Sequence, residues 1–105
     1  MTKVITLNSP DTATELRNRD AEVIQIDAVG RDALSEAGVE DASAFVVTGS
    51  EFSTQIPVAR NLNPELEVVL ISDDAPDYVR GAVDLILSRE IADSSKVADA
   101  VLDRT

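Results

Sequence analysis

The side chains that could do chemistry in this chain are hydroxyls, carboxylates, amides and a few arginines, because histidine and cysteine are both absent. That absence removes disulfides, thiolate and imidazole metal sites, and any Ser-His or Cys-His apparatus in one step. Asp73, Asp74 and Asp77 in "DDAPD" match the DDxxD pattern that holds magnesium and diphosphate in isoprenoid enzymes. That chemistry needs the acids on facing helices, whereas these follow a strand-like run, so no metal site is expected. Ser95-Lys96 has the residue types of a Ser-Lys dyad. Adjacent helical side chains point apart, which defeats it. Tyr78 and Phe52 read as packing residues rather than stacking platforms. No residue set specifies a reaction, and the chain is expected not to be an enzyme.

The remaining polar candidates share a position: each follows an apolar run. They are Asn8 and Ser9, Asp27, Thr48 and Gly49 with Ser50, and Ser72 and Asp73. The runs before them, Val4 to Leu7, Val23 to Ile26, Ala44 to Thr48 and Val68 to Ile71, read as buried strands, with Leu85 to Leu87 as a fifth. Between them lie amphipathic stretches. Ser9 and Pro10 open the first helix as N-cap and N1 proline, with Asp11 at the favourable pole and Ala13 and Leu16 inward to about Arg19. Gly30 and Arg31 open the second, with Ala33, Leu34 and Ala37 on one face and Gly38 as its left-handed terminator. With Ser53 as N-cap, Pro57 falls in the first turn of the third helix, where its missing N–H does no harm, and Ile56, Ala59 and Leu62 turn inward. A short turn through Tyr78 and Val79 precedes Gly81, and a last helix spans Glu90 to about Arg104. Its stripe of Ile91, Ala98, Val101 and Leu102 faces the sheet, while Glu90, Asp93, Lys96, Asp99 and Asp103 face water.

Apolar strands alternating with amphipathic helices specify one α/β domain over residues 1–105, a parallel sheet covered on both faces. Ligands of such sheets sit beyond the carboxyl ends of the strands, which makes Asn8, Ser9, Asp27, Thr48, Gly49, Ser72 and Asp73 a candidate small-ligand rim. The plainer reading of single residues there, Ser9, Ser50, Ser53, Asp73 or Asp74, is that they cap helices. A phosphorylatable aspartate of receiver type needs acids after the first strand, an acceptor after the third and a lysine after the fifth. Asn8, Thr48 and Ser88 stand there, so that reading fails.

Twenty acids against nine bases give a net charge of −11, and Lys3 and Lys96 are the only lysines. Such a field repels nucleic acid and anionic membranes, so neither is an expected partner. The acids are scattered (Asp11, Glu22, Glu36, Asp41, Glu65, Asp84, Asp99, Asp103) rather than blocked, a pattern that resembles proteins of extremely halophilic archaea. The melting temperature should therefore rise from dilute buffer to molar KCl as carboxylate repulsion is screened, and a flat response would contradict this. No apolar run is long enough to span a bilayer and no signal-peptide region leads the chain, so no membrane insertion and a cytoplasmic location are expected.

Four stretches carry a family resemblance: "VITLNSPDTATELRNRDAEVIQIDA" (Val4 to Ala28), "DALSEAGVEDASAFVVTGS" (Asp32 to Ser50), "VARNLNPELEVVLIS" (Val58 to Ser72) and "GAVDLILSREIA" (Gly81 to Ala92). They resemble RCK (TrkA-N) domains, the Rossmann-like NAD-binding domains of potassium-transport regulators. Against that pattern the chain has no first strand and no GxGxxG turn. Asn8 stands where the family carries a ribose-binding acid, Ile26 replaces a glycine, and Ile71-Ser72 stand where an arginine often follows the strand. The resemblance thus implies a relative without the pyrophosphate cradle, and no cofactor. With the central strand gone, the simplest repair closes the sheet into the flavodoxin-like order 2-1-3-4-5; a dimer donating a strand is the alternative. The function implied is a regulatory or binding domain acting as a homodimer or with a protein partner. The alternative is a mononucleotide sensor at the rim named above.

Overall fold

The computed structural model describes residues 2–90 and 93–104, and the side chains of Tyr78, Asp103 and Arg104 are outside that description. Five strands, β1 (Lys3–Leu7), β2 (Glu22–Ile26), β3 (Ala44–Thr48), β4 (Glu67–Ile71) and β5 (Leu85–Leu87), alternate with five helices: α1 (Pro10–Asn18), α2 (Arg31–Ala37), α3 (Gln55–Leu62), α4 (Asp77–Arg80) and α5 (Ser94–Arg104). All pairings are parallel, and the order is β2-β1-β3-β4-β5. The expected flavodoxin-like architecture is the one observed. There is no vacancy for a further strand, because β1 pairs directly with β2 along one edge and with β3 along the other.

The period-two alternation of each strand divides the core into two layers. Ile5, Leu7, Phe45, Val47, Val68 and Leu70 meet Leu34, Ile56, Ala59 and Val79 on the side of α2, α3 and α4. Val4, Ala44, Val46, Val69 and Ile71 meet Leu16, Val97, Ala98 and Val101 on the side of α1 and α5. Arg19 ties that second pair of helices together. Its guanidinium pairs with Glu15 at 3.2 Å and with Asp99, and donates to Ser95 Oγ at 2.8 Å. The bond to Asp99 pushes its pKa above the ordinary arginine value, against a smaller opposing effect of desolvation.

Local expectations hold in most places. Ala13 and Leu16 are buried, and Gly38 is left-handed with φ 89° and ψ 31°. Helix α3 starts after Thr54 rather than Ser53, which leaves Pro57 in the first turn as required. The last helix begins at Ser94, later than its apolar stripe implied. Asp93 is exposed as expected, and its carboxylate also accepts the Lys96 amide at 2.9 Å near the start of that helix. The expectation for Ile91 falls outside the described residues. Of the scattered acids, Asp11, Glu22, Glu36, Asp41, Glu65, Asp84 and Asp99 are exposed at the surface, where salt can screen them.

Candidate functional site

The strand faces that carry Val4, Val46 and Ile71 run upward into a cleft between the first turns of α1 and α5. Its volume is about 200 Å3, and its lining includes Asn8, Ser9, Asp11, Thr12, Thr48, Ile71, Arg89 and Ser94. Three of the expected rim residues, Asn8, Ser9 and Thr48, meet here. Asn8 adopts a left-handed conformation, φ 59°, which asparagine tolerates better than most residues. That turn lets its Nδ2 donate to the Thr48 carbonyl at 2.9 Å, bridging the ends of β1 and β3.

Ser9 does not do what its position promised. It precedes α1 as the N-cap residue, yet makes no side-chain capping bond. Its hydroxyl instead meets Thr48 Oγ1 at 2.6 Å and reaches the Leu7 carbonyl at 3.3 Å. The first turn of α1 is therefore open toward the cleft, with Pro10 at its start and no side chain closing it.

Gly49 is required by its backbone, φ 105° and ψ 134°, a region accessible essentially to glycine alone. The space a β-carbon would fill is taken by the Glu51 carboxylate, with the Arg89 guanidinium 3.4 Å away. A side chain of this chain, rather than a ligand, thus approaches the glycine backbone. Ser72 and Asp73 serve the rim itself. The Ser72 hydroxyl donates to the Asp74 carbonyl at 3.0 Å, and Asp73 Oδ1 accepts the Arg89 amide at 2.9 Å, joining the β4 and β5 loops. Asp27 lies elsewhere, on a groove between β2 and α2 lined by Ile24, Ile26, Ala33 and Ala37. The seven predicted rim residues are therefore not one site.

Sequence reasoning missed Asp11, Thr12, Arg89 and Ser94. A search for a basic residue directly after β5 stops at Ser88, while the cation is one residue further on. Among the described residues no group of acids is arranged to hold a metal ion, and no helix is long and apolar enough to cross a membrane.

Strand order and the layering of helices on both faces define a flavodoxin-like α/β domain. The chain belongs to DUF7126, a family of unknown function, whose profile matches residues 4–101. No curated protein matches the sequence. Among solved structures, a pilus assembly-related protein from Burkholderia pseudomallei is 17% identical over 99% of this chain and 88% of its own, with a TM-score of 0.71. A response regulator from the same organism, with a phosphorylated aspartic acid, calcium ion and citrate, is 17% identical over 96% of this chain and 66% of its own, TM-score 0.74. The CheY-like protein TadZ from Pseudomonas aeruginosa is 13% identical over the full length of both chains, TM-score 0.74.

These findings overturn the kinship with RCK (TrkA-N) domains and with it the relation to potassium-transport regulators. The shared wording has a structural origin. In "ARNLNP", Ala59 is buried, Arg60 holds carbonyls of neighbouring turns, and Asn63 donates to the Val39 and Ala42 carbonyls at 3.0 Å each. In "GAVD", Asp84 accepts the Val68 amide at 2.8 Å. Helix-to-strand junctions of doubly wound sheets make such demands whatever the ancestry. The fold is shared with response regulators, while Asn8, Thr48 and Ser88 stand at the strand ends where aspartyl-phosphate chemistry needs acids and a lysine.

Proposed function

We propose that this chain is a non-enzymatic signalling or regulatory domain on a receiver-type scaffold, one that works without an aspartyl phosphate and acts by associating with a protein partner or a second copy. The observation that carries the reading is the end of β3. Thr48 stands there with its hydroxyl bonded to Ser9 Oγ at 2.6 Å, and Asn8 binds its carbonyl. An amide and an alcohol cannot supply the carboxylate that an acyl phosphate requires, nor the paired acids that would hold its metal. The structural likeness to response regulators supports the regulatory class.

A mononucleotide sensor at the same rim is less well supported. Asp27 is remote from the cleft, and about 200 Å3 is below the roughly 300 Å3 at which small-molecule pockets usually start.

The protein is to be incubated with acetyl phosphate and magnesium, then examined by intact-mass spectrometry and light scattering. No phosphoryl adduct and no change in molar mass are expected. An adduct mapped to an aspartate of the rim, such as Asp11 or Asp73, would sink the reading.

A further inference from the structure

We propose that the cleft at the start of α1 is a non-covalent binding site for a tetrahedral oxyanion, inorganic phosphate or the phosphoryl end of a small phosphomonoester. The inference goes beyond the regulatory reading and stands without it, since it rests on the donors of the cleft alone.

The first observation is Thr12. It is only 5% exposed and lines the cleft, yet its hydroxyl makes no hydrogen bond to any side chain or carbonyl. The hydroxyl itself is reachable by solvent from the cleft, so a ligand oxygen can take the place of water there. Thr6, on β1 below, has a buried hydroxyl without a partner, but it is sealed from the surface. Thr12 differs because a ligand in the cleft can reach it.

The second is the open first turn of α1. This is a helix of nine residues whose own N-cap serine is diverted to Thr48 and Leu7. The amides of Asp11 and Thr12 thus keep their donor capacity, aligned with the positive end of the helix dipole. The third is Arg89. Among the described residues its guanidinium forms no hydrogen bond or direct ion pair, although the Glu51 carboxylate lies near it beside Gly49. It stands on the opposite wall of the cleft, with its backbone fixed by Asp73.

Uncapped amides, the hydroxyl of a buried threonine and a guanidinium without a direct ion pair converge on a volume suited to one tetrahedral ion rather than a nucleotide. All three are donors, which is the chemistry an oxyanion needs. Two carboxylates oppose it: Asp11 sits exposed at the rim, and Glu51 lies near the Arg89 guanidinium beside Gly49. That opposition gives the proposal a variant that should gain affinity, not only variants that lose it.

The test is a titration followed by amide and Arg Nε–H NMR shifts, with KCl adjusted to constant ionic strength. The probes are inorganic phosphate, sulfate and glycerol phosphate. Saturable shifts confined to the amides of residues 11–13 and the Arg89 side chain are expected. Arg89→Gln should weaken binding by roughly tenfold or more, and Thr12→Val by about threefold to tenfold. Asp11→Asn should tighten it by about threefold, from relief of like-charge repulsion. Both side-chain changes at the rim, Asp11 and Arg89, are exposed and leave the core intact, so folding does not confound them. Tighter binding of glycerol phosphate than of phosphate assigns the site to an esterified group, and the reverse assigns it to the free ion. Linear shifts spread over the surface, or saturation unchanged in Arg89→Gln, would overturn the site.

Discussion

Arg60→Ala is expected to lower the unfolding free energy by about 3 kcal/mol, far more than the loss of an ordinary surface arginine. Arg60 lies on α3 and donates to the Ala82 carbonyl at 2.6 Å and to the Leu66 carbonyl at 2.7 Å. It also pairs with Asp84 at 3.2 Å. The same Asp84 oxygen accepts the Val68 amide, so one side chain joins the start of β4 to the turn before β5. Removing the guanidinium leaves several acceptors together without a donor, around a Leu66 that is 1% exposed. Arg60→Lys should recover less than half of the loss, because a single ammonium cannot span carbonyls that a planar fork reaches at once. Urea denaturation at fixed KCl measures both. A loss under about 1 kcal/mol would class the residue with solvent-screened surface pairs.

Phe45→Ala should be larger still, about 4 kcal/mol by the same measurement. The chain has two phenylalanines, one tyrosine and no tryptophan, so its core is built from small aliphatic side chains. Among the described residues Phe45 is the largest side chain that is fully buried. It sits in the middle of the sheet with Ile5 and Val68 beside it in register. Truncation removes its contacts with both strand neighbours and with the helices of that layer, and rigid strands on either side limit collapse into the void. Phe45→Leu, which keeps much of the volume, should cost roughly 1.5 kcal/mol or less. Equal losses for the two variants would mean that the ring's shape, rather than its volume, is what the layer needs.

The fold was readable because it is written in short-range patterns. Strands β3 and β5 fall on the residues where apolar runs predicted them, and Gly38 ends α2 in the left-handed conformation its position demanded. Strand order needed a further inference about how a sheet lacking a strand would close. The right order came from a wrong genealogy. Arg60, Asn63 and Asp84 look like a family's signature in sequence, but each answers a local demand for donors or acceptors at a helix-to-strand junction.

The site was less legible, for a different reason. Residues that end strands are found by pattern, and Asn8, Ser9 and Thr48 were found so. Which of them share a cleft depends on strand order and on the face each side chain takes. Asp27 ends the edge strand β2 and opens on another groove. Thr12 was invisible because a threonine on a polar helix start looks like surface. Only the packing of α1 against the strand ends buries it. Ser9 carried a strong capping signal and does not cap, since a competing hydroxyl from β3 takes its bond.

The central place of β1 has a consequence for the order in which the molecule can assemble. Its partner β2 follows soon after α1, so one half-unit can form from local sequence. Its other edge, the apolar run Val4 to Leu7, must wait for Ala44–Thr48 before its backbone is paired. Strands β4 and β5 then add outward from β3, each beside a neighbour already in place. The slow step of folding should therefore be closure of β1 on β3, the first contact that spans distant sequence. Until it occurs, one edge of a largely apolar strand is open to any other chain that offers it hydrogen bonds.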